Sequence, residues 1–504
     1  MKKENYEYNK VQRVSSIKEL LELAVKDCGN KDAFKYRENG KIVSITYEEF
    51  QRDTIELGTA LSSIGVEDSH IAVIGENSYD WITVYLTVLK SKGVIVPIDK
   101  ELIIEDIINI LKNSDSEVLF YSKKYEKYIE QIEKEVPNIK YFIGFKEENN
   151  NGKKLSYKKL KQTGKKLFEE GNDTYIHLEN DKDKLKMLVY TSGTTGMAKG
   201  VMLSEHNLVS CVYYGLQVST VYDKCLSVLP YHHTYEAVAG ILVSLHHHST
   251  ICINENLKMV LKNLQEYKPE YVYLVPAFIE IFYKKIWDGA KESGKDKILK
   301  TMISISNFLR KIGIDMRKIL FKSIHKQFGG NLIKIVCGGA PIRAELGYFF
   351  DSIGFDLING YGITECSPLV SANRDRFNDC STVGVVLPCC EIKFENVTPE
   401  GDGEICVKGD IVMLGYYKDE QRTKDVLKKG WFNTGDYGKF NEKGQLLITG
   451  RKKNLIVLKN GKNVFPEEIE NYIMGIPYVS EVVVKGIKDD NGAETRIVCR
   501  NISR

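Results

Sequence analysis

Apolar positions along the chain follow two alternating rhythms. Short continuous apolar runs at 71–74, 94–98 and 118–121 have the length of buried strands, and between them 81–89 and 103–111 repeat apolar residues at helical spacing. Ahead of these, Ile17, Leu20, Leu21 and Ala24 predict one face of a helix over 15–27. Thr46-Tyr-Glu-Glu49 predicts a capping box that opens a helix reaching about Ser63. The alternation continues with a strand at 185–190, a helix from Leu208, a strand at 225–229, a helix near 236–245 and a strand at 250–253. Strands and helices taken in turn predict an α/β fold with largely parallel sheets. Residues 144–171 are rich in Lys, Glu, Asn and Gly and are expected to form an exposed connection. From Thr382 the texture changes to short strands with glycine turns at 391–394, 404–407 and 445–448, a small antiparallel β-unit. Pro466-Glu-Glu then predicts a new helix starting at a proline, after a domain boundary.

Composition narrows this picture. A chain of 504 residues is too long for one core, so two or more domains are expected. Its eleven cysteines show no Cys-x-x-Cys pair and no zinc spacing, which points to a reduced, cytoplasmic protein. The first residues carry no apolar stretch of a secretory signal, and no run approaches the roughly 20 apolar residues of a membrane span. A net charge of +3 gives no argument for a nucleic-acid partner. One stretch departs from this balance: 291–327 is helical in pattern and holds ten Lys and Arg against three Asp and Glu. Two readings stand for it, a helical excursion with a solvated charged face, which is favoured, and a membrane-surface helix that makes a peripheral contact and collects a lipid substrate. His246-His-His248 is read as a loop, because consecutive histidines cannot all face one way on a helix or strand.

The candidate chemistry begins at Tyr190-Thr-Ser-Gly-Thr-Thr-Gly-Met-Ala-Lys-Gly200, where hydroxyls, glycines and one lysine follow a buried strand and precede a helix start at Ser204-Glu-His-Asn207. A strand-to-helix loop of this composition aims backbone N–H groups and hydroxyls at an anion, and Lys199 adds a mobile positive charge. Gly338-Gly-Ala-Pro341 is expected to turn at the carboxyl end of a strand near 333–336, where open α/β sheets place ligands. In Asn359-Gly-Tyr-Gly-Ile-Thr-Glu365 a glycine turn is expected after a short strand; Tyr361 offers a ring face, Thr364 a hydroxyl and Glu365 a hard oxygen for magnesium. Asp436, ending Gly430-Trp-Phe-Asn-Thr-Gly-Asp436, is placed to accept hydrogen bonds from a ribose diol.

Five segments, 190–200, 229–236, 359–365, 430–436 and 450–470, occur in the order found in the acyl-adenylate-forming, AMP-binding synthetases, and the chain resembles the bacterial long-chain fatty acyl-CoA synthetases among them. The resemblance implies a large N-terminal domain over 1–450, built of two α/β subdomains and a β-barrel-like unit, and a small α+β domain over 451–504 that swivels above it. It implies ATP, Mg2+ and coenzyme A as cofactor and co-substrates, a fatty acid as substrate, and formation of an acyl-adenylate followed by a thioester. By the same resemblance Thr194 and Glu365 hold the metal, while Thr191, Ser192, Gly193, Thr195 and Lys199 surround the β- and γ-phosphates. Tyr361 stacks on adenine within Asn359, Gly360 and Gly362; Gly338, Gly339 and Ala340 border nucleotide and acyl group; Thr364 meets the α-phosphate; Asp436 and Arg451 hold the ribose; His233 lies near the acyl carboxylate; and Lys453 is the hinge.

Family members carry a second catalytic lysine well down the small domain, and no candidate for it occurs between Gly461 and Arg504. The expectation is a truncated synthetase, with an incomplete small domain, that binds nucleotide but adenylates poorly. Transfer to an acyl carrier protein, use of another carboxylic acid, and a non-catalytic nucleotide- or acyl-binding protein stand as alternatives. A kinase or GTPase is disfavoured, since no Gly-Lys-Ser/Thr or His-Arg-Asp loop is present. Acyl-chain length and oligomeric state are not legible.

Overall fold

The helix Tyr79–Lys90 is buried at every residue but Asp80, and two large sheets are arranged around it and its neighbours. The computed structural model describes residues 5–191, 198–458, 463–474, 476, 479–488 and 494–503. One sheet runs in the order Gly415–Tyr416, Lys199–Ser204, Leu185–Thr191, Val94–Pro97, His70–Ile74, Val118–Tyr121, Tyr141–Gly144, Lys154–Ser156 and is parallel from Leu185–Thr191 onward. The other runs Val385–Val386, Leu369–Ala372, Asp356–Gly362, Lys334–Cys337, Tyr271–Leu274, Lys224–Ser227, Thr250–Ile253, Asp32–Glu38, Lys41–Thr46. Its middle strands are parallel and its edges antiparallel.

Each sheet contains a point where the strand order reverses. His70–Ile74 has the next two strands in sequence on opposite sides of it, and so does Lys224–Ser227. The crevice beyond the carboxyl end of such a strand is where open α/β sheets bind ligands. Here the two crevices are linked: Asn77, just past His70–Ile74, donates from Nδ2 to the Leu229 carbonyl at 2.8 Å and faces the Tyr231 N–H with Oδ1 at 3.4 Å.

Three expectations are corrected. The loop before Gly200 does not run from strand to helix. It joins two antiparallel strands, with Thr191 opposite Lys199 and Val189 opposite Val201, and the helix Glu205–Val218 starts only after the second. That second strand, Lys199–Ser204, buries Gly200, Val201, Leu203 and Ser204, and Ser204 with Asn207 closes the cap of the helix that follows. The lysine-rich stretch 144–171 is not merely an exposed connection. It adds the edge strand Lys154–Ser156 and the helix Tyr157–Glu169, which buries Tyr157, Leu160 and Gly164 at positions i, i+3 and i+7 against the helix Tyr47–Ser63. Nor do the glycines of 359–362 make a turn: the strand Asp356–Gly362 passes through them. A Cβ on Gly362 would lie 1.8 Å from the Pro368 carbonyl oxygen, so the antiparallel return strand Leu369–Ala372 requires glycine there.

The β-unit follows as expected, five antiparallel strands formed by Cys390–Glu395, Gly403–Gly409, Leu427–Lys428, Trp431–Phe440 and Leu446–Arg451. Beyond it stand a short hairpin, Ile456–Val457 with Asn463–Val464, the helix Pro466–Met474, and the antiparallel pair Val479–Lys488 and Glu494–Ser503. The helix Tyr157–Glu169 gives a direct test of the revised fold. A Cβ on Gly164 would lie 1.8 Å from the Glu56 carbonyl oxygen, a backbone atom that no rotamer change can move. Gly164→Ala is expected to destabilise the protein by about 1–3 kcal/mol, read as a lower urea midpoint, whereas the same change at Gly289, a helical glycine with open space around it, would not.

Candidate active site

Two clusters, each from segments distant in sequence, form around the strand Asp356–Gly362 of the nine-stranded sheet and the turn that follows it. In the first, Asp436 and Arg451 are direct partners across the strands Trp431–Phe440 and Leu446–Arg451. Arg451 Nε lies 3.2 Å from Asp436 Oδ1, and the Tyr361 hydroxyl donates to Asp436 Oδ2 at 2.7 Å. Thr434 Oγ1 accepts from the Asp436 N–H at 3.0 Å and fixes the carboxylate's backbone. Burial raises the proton affinity of Asp436, while the Tyr361 hydrogen bond and the Arg451 charge oppose it. Burial and the adjacent Asp436 carboxylate push the Tyr361 hydroxyl well up, so it remains a donor. Tyr361 is buried, 9 % exposed.

The second cluster contains Lys199, Glu365 and a residue that the sequence reading missed, Tyr416. The Tyr416 hydroxyl donates to Glu365 Oε1 at 2.8 Å, and the Lys199 ammonium lies 5.3 Å from the centre of the Tyr416 ring. Burial, then the Glu365 charge, raises the proton affinity of Tyr416, which keeps the hydroxyl a donor. Thr191 ends its strand opposite Lys199; Ser192, Gly193, Thr194 and Thr195 lie outside the described residues. Glu365 Oε2 takes no hydrogen bond from the described residues. Among them, no three His, Cys, Asp or Glu side chains converge to hold a metal. This donor set fits magnesium, which takes one or two carboxylates and completes its shell with water and substrate phosphates.

Gly338, Gly339 and Ala340 follow the strand Lys334–Cys337, and a Cβ on Gly338 would lie 3.6 Å from the Gly360 carbonyl oxygen. Asn359 turns away: its buried amide donates to the Thr382 carbonyl at 3.1 Å and steadies the loop behind the strand. His232 and His233 stand past the reversal point of Lys224–Ser227, with ring centres 4.0 Å apart. His233 is exposed, whereas His232 is buried with Nε2 3.4 Å from Asp99 Oδ1. Burial, reinforced by the His233 ring, pushes His232 down to about 4, so it is neutral at pH 7. Lys453 is exposed in the short turn Lys452–Asn454, and its neighbour Lys452 is anchored by Glu404 Oε2 at 2.6 Å.

Asn77, Asp99 and Tyr416 carried no sequence signal. Each belongs to the site only because of strand order, and Tyr416 sits on the two-residue strand Gly415–Tyr416. Glu236, at the end of the Leu229-Pro-Tyr-His-His-Thr-Tyr-Glu motif, is wholly buried where the wide helical turn Tyr235–Leu242 begins. Its Oε1 accepts from Ser227 Oγ at 2.5 Å and its Oε2 has no partner among the described residues. Burial pushes Glu236 up to about 8.

The family model described as AMP-binding enzyme matches residues 21–417. The long-chain-fatty-acid–CoA ligase FadD15 of Mycobacterium bovis is 28% identical over 469 residues, covering 89% of this chain and 76% of that one. The chloroplastic long-chain-fatty-acid–[acyl-carrier-protein] ligase AEE15 of Arabidopsis thaliana is 28% identical over 556 residues, covering 92% and 74%. Among solved structures, ATP-bound MatB from Rhodopseudomonas palustris superposes with a TM-score of 0.76 at 21% identity, covering 97% of this chain and 89% of that one.

Glu236 makes the stability depend on pH with a definite sign. Its folded value near 8 lies above the ordinary 4.5, so the native state holds a proton that the unfolded chain releases between those values. Stability therefore falls as pH rises through that window and levels off above it. Glu236→Gln is expected to flatten the fall, measured as urea midpoints at pH 5.5, 7 and 8.5.

Proposed function

Since this chain belongs to the family of AMP-binding enzymes, we propose that it activates a long-chain fatty acid with ATP and passes the acyl group to coenzyme A. A carboxylate oxygen of the acid attacks the α-phosphorus, the bond to the β-phosphate breaks, and pyrophosphate leaves. The thiol sulfur then attacks the acyl carbon and AMP departs. The observation that carries this reading is the pairing of two clusters across one crevice, Tyr361–Asp436–Arg451 suited to a nucleoside and Lys199–Tyr416–Glu365 suited to phosphates. Relatives named for fatty acids and for coenzyme A supply the substrate class.

The main physical obstacle is bringing a carboxylate to a phosphate when both are negative. Lys199 neutralises part of that charge, and Glu365, with Thr194, would hold magnesium, whose positive charge offsets the rest. Exposed His233, beside its neutral neighbour His232, offers a hydrogen-bond donor to the acid without fixing a buried charge nearby. We assign 1–450 to the adenylate-forming domain and 451–504 to a swivelling domain, with Lys453 at the hinge beside the anchored Lys452.

The acceptor is open to one specific alternative, because an acyl-carrier-protein ligase is equally similar. AMP release with palmitate, octanoate or an aryl acid, each with and without coenzyme A, decides among them. Release that needs palmitate and coenzyme A together is expected, and Lys199→Met should lower it roughly a hundredfold. Palmitate-dependent release served only by a carrier protein would move the acceptor assignment.

A peripheral bilayer contact belongs to the same proposal. The helix Asp296–Lys311 turns Leu299 and Ser306 inward and leaves Ile298, Ile305 and Phe308 exposed, continuing into exposed Ile312, Ile314 and Ile319. Lys297, Lys300, Lys311 and Lys318 stand exposed around this stripe. Apolar side chains ringed by lysines suit an anionic surface on which the helix lies flat. Among the described residues no helix is long and apolar enough to cross a membrane. Flotation with anionic vesicles should carry the protein, neutral vesicles should carry less, and Ile305→Glu with Phe308→Glu should abolish it. No binding to anionic vesicles would end this part of the proposal.

A further inference from the structure

Lys199 and Glu365 present opposite charges to the same crevice, yet no ion pair joins them among the described residues. Left to themselves, an ammonium and a carboxylate in a half-buried site would pair, and a nucleotide would have to break that pair before using either group. Tyr416 stands between them. Its ring lies under the Lys199 ammonium at 5.3 Å, and its hydroxyl takes up Glu365 Oε1 at 2.8 Å, leaving Oε2 free of hydrogen bonds from the described residues.

The backbone makes this placement rigid. Tyr416 pairs with Val201, two residues past Lys199, and its N–H donates to Thr423 Oγ1 at 2.9 Å. The neighbouring Tyr417 N–H donates to the Gly200 carbonyl at 2.8 Å, and the Met413 N–H donates to the Glu365 carbonyl at 2.9 Å. The segment 413–417 is thus a strap fastened at one end to the turn of Glu365 and at the other to the strand of Lys199. The side chain that projects from it, Tyr416, is 4 % exposed and has little room to move.

We propose that Tyr416 is a positioning residue that keeps the Lys199 ammonium and the Glu365 carboxylate apart, so that one stays available to phosphate oxygens and the other to the metal that accompanies them. The face of the ring holds the cation weakly, by its quadrupole, so the cation is easily surrendered to a phosphate. The hydroxyl orients the carboxylate with one oxygen outward. This assignment rests on the adenylation reading, and the experiment separates the two.

Calorimetric titration of ATP into the full chain, once with Mg2+ and once with EDTA, reads each half of the device without turnover. In Tyr416→Phe the ring remains and the hydroxyl is lost, so affinity in EDTA should stay within about twofold while the gain conferred by Mg2+ falls about tenfold. In Tyr416→Leu both are lost and Lys199 collapses onto Glu365, so affinity in EDTA should fall as well. Adding Glu365→Gln to Tyr416→Leu should restore the EDTA affinity, which a merely unfolded or loosened site would not do. An unchanged Mg2+ gain in Tyr416→Phe, or no rescue by Glu365→Gln, would overturn the assignment while leaving the adenylation reading intact. Failure of the unsubstituted protein to bind ATP with Mg2+ would overturn both.

Discussion

A helix with no solvent face cannot lie on the outside of a protein, and Tyr79–Lys90 is such a helix. It must be covered on every side, and the cover comes from elements of both large sheets. Trp81 packs against Tyr231 with ring centres 5.2 Å apart, and the Tyr85 hydroxyl donates to the Ala237 carbonyl at 3.3 Å. Each large apolar side chain removed from water in this way contributes about 1.5–3 kcal/mol, so the arrangement of the two sheets is held mainly by burial. Because the helix follows directly on the reversal point of one sheet, and its partners follow on the reversal point of the other, covering it brings the two crevices together. The Asn77 link and the approach of Asp99 to His232 are consequences of that geometry.

Within the shared crevice, the charged groups are held in place by their neighbours. Both oxygens of Asp436 are occupied, by Tyr361 and by Arg451. The carboxylate is therefore already oriented and partly neutralised inside a buried site. The histidine pair differs in exposure: the His232 ring is enclosed and neutral, the His233 residue exposed. Preset groups of this kind need little reorganisation when charge shifts along the reaction.

The alternation of strands and helices was legible because a buried parallel strand is a short unbroken apolar run, and 71–74, 118–121 and 250–253 fall within or match strands of the structure. The capping boxes at Thr46 and Ser204 were legible for a local reason, since cap and partner lie three residues apart. Local composition misled where polarity hid a pattern, as in Tyr157–Glu169, whose buried stripe is spaced among lysines. It misled again at 359–362, where glycines that look like a turn instead admit a neighbouring strand. The candidate site was legible wherever one segment carries several functional groups. Tyr416, Asn77 and Asp99 join it through the order of strands in space, which no spacing along the chain encodes.

Thr191 and Lys199 are cross-strand partners, so the hydroxyl-rich run between them is a ring closed by the sheet and not a tether with one loose end. The entropy of bringing its ends together has been settled by the folding of the strands, and it grows only slowly with the length enclosed. The separation of Thr191 and Lys199 is therefore set by the sheet itself, before anything binds between them.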